Sequence, residues 1–76
     1  MVVQGFPRIS VDPTVCGGRP VVAGTRMRVS DVLDLLASGA SEAAIVGDYP
    51  YLTIDDIRAA LRYAAHMGNH PVVVAA

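Results

Sequence analysis

The chain of 76 residues contains no lysine, only one cysteine and no long apolar run. Because Cys16 has no second cysteine to pair with, an intramolecular disulfide is excluded, and a reducing compartment is favoured. No apolar stretch approaches the roughly 20 residues of a membrane helix, and no charged segment precedes a run of signal-peptide length. We therefore expect a cytoplasmic protein that has no membrane partner.

Charge is also scarce, since 17% of the residues are charged, the formal net charge is −1, and 53% are hydrophobic. This composition argues against disorder and predicts a folded domain. A domain of this size buries only about 60% of the surface that its unfolded chain exposes. We expect apolar surface to be left over for a homodimer, a higher oligomer or another protein.

The order of local patterns predicts a single α+β domain that is mostly α. Residues 1–29 form the β region, with a strand over residues 8–11 and a hairpin in which residues 20–23 meet residues 25–29 around Gly24. Residues 30–68 form a three-helix cluster that contains a helix-turn-helix-like pair. Residues 69–76 are an apolar tail, in which residues 71–76 could form an added strand, a dimer arm or a disordered end.

Capping residues set the expected limits of the first two helices. Ser30 is the expected N-cap of the first helix, and Gly39 is expected to end it. Ser41 is the expected N-cap of a shorter second helix that ends at Gly47.

The third helix is the longest. Thr53 and Asp56 approximate a capping box at its start, and it is expected to run to about Met67. At 100° per residue its predicted apolar face consists of Ile54, Ile57, Leu61, Ala64 and Ala65. Beside that face lies a basic stripe at spacing i, i+4, i+8, formed by Arg58, Arg62 and His66.

No catalytic or cofactor chemistry is indicated. In the glycine-rich segment over residues 17–29, Gly24 is followed by Thr25 and Arg26, whereas a Walker A loop requires a lysine and then a hydroxyl residue. Cys16, His66 and His70 have no recognised zinc spacing. We expect no catalytic residue, no bound metal, no cofactor and no enzymatic activity.

Two groups of arginines are candidate binding residues. In a helix-turn-helix protein the stripe of Arg58, Arg62 and His66 would contact DNA, although acidic residues at the start of that helix would repel it. The alternative is a solvated surface in which Asp55 pairs with Arg58. In the hairpin, strand alternation puts Arg26 and Arg28 on one side, with Met27 and Val29 on the other, so these arginines are candidate partner-binding residues.

Two segments resemble a known family. They are CGGRPVVAGTRMRV, which contains G-x-P-x-x-x-G-T-R-x-x-V, and DYPYLT, which contains D-Y-P-x-L-T. Both are similar to the segments of the domain-of-unknown-function family 433, and the likeness extends over residues 8–65. The resemblance implies a winged or homeodomain-like helix-turn-helix fold. Members are often encoded beside a PIN-like ribonuclease, which implies a VapB-like antitoxin that neutralises such a toxin, tends to dimerise and represses its own operon.

Three functions stay open at this stage. The first is an antitoxin of a VapBC-like pair whose partner is a PIN-like toxin, with operator DNA as a further partner. The second is a stand-alone helix-turn-helix regulator that binds DNA through its third helix. The third is a structural module that oligomerises through its strands.

Overall fold

A computed structural model describes residues 1–69 and has the α+β fold class expected from the sequence. Three short strands are followed by three helices. The strands are β1 (Val2–Val3), β2 (Phe6–Ser10) and β3 (Val21–Val22), and the helices are α1 (Val29–Ala37), α2 (Glu42–Asp48) and α3 (Ile54–Gly68). The tail predicted over residues 71–76 lies outside the described residues, as does His70.

The sheet is antiparallel with the order β1-β2-β3. Its central strand β2 agrees with the strand expected near residues 8–11, but β1 was not predicted. The expected hairpin forms only in part: β3 pairs with β2 through Ile9 and Val22, and the returning chain makes a single bridge between Val21 and Arg28. The chain leaves the sheet there because α1 begins at the next residue.

A tight turn at residues 22–25 still reverses the chain where a hairpin was expected. The Thr25 hydroxyl donates to the Val22 carbonyl at 2.8 Å and accepts from the Met27 amide at 3.0 Å. Gly24 has φ +80°, a conformation that side chains rarely adopt, so glycine suits this position. The turn brings Met27 and Val29 into the core, which confirms the predicted alternation on this segment.

The helix limits differ from the predicted ones at two caps. Ser30 is not the N-cap of α1, because the helix begins at Val29 with Arg28 as its N-cap, two residues earlier than predicted. The Val29 amide donates to the Pro20 carbonyl at 3.0 Å. Gly47 does not end α2 but lies within it. Ser41 does cap α2, since its hydroxyl accepts from the Ala44 amide at 3.1 Å.

The start of α3 has the predicted capping box. The Thr53 hydroxyl accepts from the Asp56 amide at 3.2 Å, and the Asp56 carboxylate accepts from the Thr53 amide at 3.0 Å. The helix ends at Gly68, one residue beyond the expected Met67. These bonds satisfy two of the amide groups that a helix leaves without partners in its first turn.

The core lies between the sheet and the three helices, and α3 contacts β2, α1 and α2. Its largest side chains with almost no exposure are Ile9, Val22, Val32, Ile45, Leu52 and Ile57. None of the helices described for residues 1–69 has the length and apolarity needed to cross a bilayer.

The buried side of α3 is rotated from the predicted one. Ile57 is fully buried as expected, but Ile54 and Leu61 each remain 42% exposed, and Ala65 is exposed. Ala59 and Ala60, which were not assigned to the apolar face, are buried instead. The helix therefore packs on the core through the side that carries these two alanines, and Leu61 lies on the opposite side.

Candidate partner-binding surfaces

Arg26 lies on the tight turn that follows β3, and its side chain is exposed. Its guanidinium has no hydrogen bond or ion pair to any residue in the range 1–69. The backbone beneath it is fixed, because the neighbouring Met27 is buried and the Cys16 thiol contacts the Arg26 carbonyl at 3.5 Å. The turn therefore presents an available cation from an ordered backbone.

An open groove of about 550 Å³ runs from Arg26 along α1 toward the turn between α2 and α3. We call this the Arg26 groove. Its lining residues are Arg26, Met27, Asp31, Asp34, Leu35, Ser38, Tyr49 and Tyr51. The rings of Tyr49 and Tyr51 meet edge to face with centroids 6.2 Å apart, and Tyr51 is 56% exposed. The groove thus joins a cation, two tyrosines and two carboxylates on one side of the molecule.

Arg28 is placed differently from Arg26, although the sequence grouped the two. Its Nε and a terminal nitrogen donate to the two oxygens of Asp31, each at 3.1 Å. The hydrogen bonds to Asp31, with the negative charge of that residue, raise the pKa of Arg28. Arg28 is therefore already neutralised by a bidentate pair at the start of α1.

The outward side of α3 carries two residues of the predicted basic stripe, Arg58 and Arg62, together with apolar side chains. We call this surface the outer face of α3. It consists of Ile54, Asp55, Arg58, Leu61, Arg62 and Ala65, all of which are exposed. Arg58 donates to Glu42 of α2 at 3.2 Å, whereas Arg62 has no ion pair or hydrogen bond within the part of the chain that the structure describes.

The third member of the predicted stripe, His66, has a contact that the sequence did not indicate. His66 packs its ring against Phe6 with centroids 5.3 Å apart, so it contacts the sheet side of the molecule. The pairing of Asp55 with Arg58 that was weighed as an alternative is not the one observed, since Arg58 contacts Glu42 and Asp55 lies 3.8 Å from Arg8.

Arg8 and Asp56 join β2 to α3 through a contact that no sequence pattern predicted. The Arg8 guanidinium donates to the Asp56 carboxylate at 2.9 Å, and the Asp56 side chain is only 12% exposed. Burial raises the pKa of Asp56, but the bonds from the Thr53 backbone and from Arg8 outweigh it, so the pKa lies below its usual value. This carboxylate is committed to holding the fold.

A second open groove, of about 570 Å³, is mostly apolar and was not predicted either. It lies between α1 and the end of α3, beside Arg19 and Pro20. Its other lining residues are Val29, Ser30, Leu33, Tyr63, Ala64 and Met67. Arg19, like Arg26, is exposed and has no ion pair to the described residues, which makes it a matched comparison for Arg26.

No metal site is formed by the side chains of residues 1–69, where no three His, Cys, Asp or Glu residues come together. Cys16 is partly exposed, with its thiol directed at the Arg26 carbonyl. The Arg26 groove and the outer face of α3 offer charge, aromatic rings and apolar area to another molecule.

Comparison with known proteins adds three findings. The family described as "Protein of unknown function (DUF433)" matches residues 9–64. The "Uncharacterized protein y4eO" of Sinorhizobium fredii (strain NBRC 101917 / NGR234) is 39% identical over 56 residues, covering 74% of this chain and 25% of that protein. The crystal structure of a DUF433 member protein from Anabaena variabilis ATCC 29413 matches with a TM-score of 0.74 and 32% identity.

The matched regions differ in extent. The structural match covers 78% of this chain and 58% of the Anabaena chain. The chain thus spans a quarter of the Sinorhizobium relative and somewhat over half of the Anabaena protein.

Proposed function

The chain belongs to the DUF433 family, and from that premise we propose that it is the antitoxin of a VapBC-like pair, which binds and neutralises a PIN-like ribonuclease in the cytoplasm. It acts by binding another protein and not by catalysis, and it also represses its own operon. The observation that supports a binding role is the Arg26 groove, in which Arg26, unpaired among residues 1–69, lies beside the exposed Tyr51.

The composition of this surface suits a protein interface. Arginine and tyrosine are over-represented among the residues that contribute most to binding, and a fixed backbone lowers the entropy lost on association. Arg26 and Tyr51 also line one shallow depression with Gly24 and Thr25, so both side chains can contact the same partner residue.

The chemistry of a PIN-like active site supports the choice of Arg26. Such a site is a cluster of carboxylates around magnesium, and a guanidinium forms bidentate, charge-assisted hydrogen bonds with a carboxylate. Arg26 would occupy the position of the metal ion and neutralise the acidic cluster, while Tyr51 covers its edge. Inhibition would follow because the nuclease loses its metal.

Arg28 and Arg58 are weaker candidates for this task. Arg28 would have to break its pair with Asp31, and Arg58 its pair with Glu42. Arg26 makes no such contact with residues 1–69, so it can bind a new carboxylate without giving one up.

The test is co-expression of the chain with the protein encoded beside it, followed by a ribonuclease assay of the purified mixture. We expect co-purification and loss of nuclease activity, with Arg26→Ala restoring activity and the matched control Arg19→Ala leaving inhibition unchanged. A neighbouring gene that encodes no acidic-cluster nuclease, or equal inhibition by both variants, would contradict the proposal.

A DNA-binding regulator is the second candidate, favoured by the exposure of Arg58, Arg62 and His66 along α3. Asp55 argues against DNA binding, because its side chain is 73% exposed at the N-terminal end of α3. That end of a recognition helix approaches the DNA, whose phosphates would repel the carboxylate. Promoter affinity should fall with salt and with Arg58→Ala and Arg62→Ala if DNA is bound there. Full affinity in both variants would eliminate this function.

A further inference from the structure

The outer face of α3 carries exposed apolar side chains and charges of both signs. Their arrangement is complementary to the same face of a second, antiparallel copy. Ile54 and Leu61 each remain 42% exposed, although both are aliphatic residues of a helix whose other side is buried in the core. Asp55 lies near the start of this face and Arg62 near its end. Such apolar exposure bordered by charge is typical of an interface that is covered in the functional protein.

The positions of the charges around the helix are decisive. Asp55 and Arg62 are seven residues apart, so they project only about 20° from one another, on the same edge of the outer face. In two antiparallel helices related by a two-fold axis, residues on the same edge of both copies meet. Asp55 of one copy therefore comes opposite Arg62 of the other, and the symmetry repeats this pair.

One register satisfies the apolar contacts as well. With Asp55 opposite Arg62, the centre of the pairing falls between residues 58 and 59. Ile54 opposite Ala65, and Arg58 opposite Leu61, centre the pairing between residues 59 and 60. The two centres differ by one residue, so residues that face each other in one register are displaced by two residues, about 3 Å, in the other. Side chains of this length can span that displacement, so a single antiparallel arrangement brings all three contacts together.

Both charged groups are available for this contact. The Asp55 side chain is 73% exposed, and its nearest cation, Arg8, is 3.8 Å away and has its short bond to Asp56 instead. Arg62 has no ion pair or hydrogen bond to any other described residue. Arg58 remains bonded to Glu42 of its own copy and contributes its aliphatic stem.

We propose that the outer face of α3 binds a second copy of this chain, forming an antiparallel α3–α3 dimer with two reciprocal Asp55–Arg62 ion pairs. A second copy is favoured over another partner because an isologous interface requires that residue i of one copy contact residue j of the other, and the reverse. On this face the acidic residue pairs with the basic one, and the apolar residues pair with each other or with an aliphatic stem. The proposal does not depend on the antitoxin role, since it uses a different surface from the Arg26 groove.

Charge reversal in the full chain, read out by sedimentation velocity across a range of concentrations, tests the dimer. The variants are Asp55→Arg, Arg62→Asp and the double variant, with Arg19→Asp as the control on another surface. We expect each single reversal to weaken the dimer roughly tenfold, since two symmetric pairs become repulsive, and the double reversal to restore it to near the wild-type value. Leu61→Asn should weaken the dimer without changing any charge.

The outcomes separate the dimer from other uses of the same face. Restoration by the double variant, with Arg19→Asp unchanged, supports the assigned register. A wild-type chain that stays monomeric at every concentration overturns the proposal. So does a double variant whose loss of dimer affinity equals the sum of the losses in the two single variants. Binding of promoter DNA that Arg62→Asp abolishes, in a chain that does not dimerise, assigns the face to DNA. Circular dichroism of each variant verifies that the fold is retained.

Discussion

Replacement of Asp56 by asparagine tests the contact that holds β2 against α3. The Asp56 side chain is 12% exposed, and its two oxygens accept from the Thr53 amide at 3.0 Å and from Arg8 at 2.9 Å. Asparagine has nearly the same volume, so packing is maintained. It carries no charge, however, and only one of its two polar atoms can accept a hydrogen bond.

The expected loss has two parts. Impairing the capping interaction at the start of α3 costs about 1 kcal/mol. Losing the charge-assisted bond to Arg8 adds about 1 kcal/mol, less than for a buried pair, because the Arg8 side chain is 46% exposed and solvent screens it. The sum of about 2 kcal/mol is a large share of the roughly 5–15 kcal/mol that stabilises a small domain, and it should lower Tm by roughly 8–16 °C.

Urea unfolding followed by circular dichroism measures this loss directly. Asp34→Asn is the matched control, because Asp34 lies within α1, is exposed, and has no side-chain hydrogen bond or ion pair to another residue of the range 1–69. We expect the control to stay within about 0.5 kcal/mol of the wild type. The reasoning is refuted if Asp56→Asn is equally mild, or if both variants lose the same stability.

Three further predictions concern stability. The folded-state pKa of Asp56 is lowered, so its contribution to the free energy of unfolding is complete above the usual Asp pKa of about 4 and is lost as the pH falls through the lower folded value. The free energy of unfolding of Asp56→Asn should therefore depend less on pH in the acid range than that of the wild type. Gly39 follows α1 with φ +101°, so Gly39→Ala should cost about 1 kcal/mol, whereas Gly47→Ala, inside α2 and facing open space, should stabilise by about 0.5–1 kcal/mol in the same urea assay. Ser41→Ala should lower stability by about 1 kcal/mol because Ser41 caps α2, and Ser30→Ala, at the position wrongly expected to cap α1, should change it by less than about 0.5 kcal/mol. Equal effects within either matched pair would contradict the structural assignment.

Local chemistry made the helices predictable. The hydroxyl of Ser41 and the capping box of Thr53 with Asp56 act over three residues, so their bonds can be identified from spacing alone. The two-residue alternation that buries Met27 and Val29 is equally local. By contrast, β1 has only two residues and exists by pairing with β2, which leaves too short a pattern to identify.

The ion pairs of two arginines depend on residues that are distant in sequence. Arg8 meets Asp56, which is 48 positions away, and Arg58 meets Glu42 on a different helix, so neither pair has a sequence signature. Arg28 and Asp31 are three residues apart, a spacing that could have indicated their pairing. The rotation of α3 was also beyond sequence, because the tertiary packing that buries Ala59 and Ala60 and leaves Leu61 exposed is not recorded in the local pattern.

The affinity of this chain for the acidic-cluster nuclease that we propose as its partner, measured by calorimetry without magnesium, is the most direct test of a protein-binding role. The proposal predicts a saturable complex that Arg26→Ala weakens at least roughly tenfold, while Arg19→Ala binds as tightly as the wild type. Added magnesium should compete with binding to the wild type, since Arg26 and the metal would occupy the same carboxylates. Absence of a complex, or affinity unchanged by Arg26→Ala and by magnesium, would contradict the account.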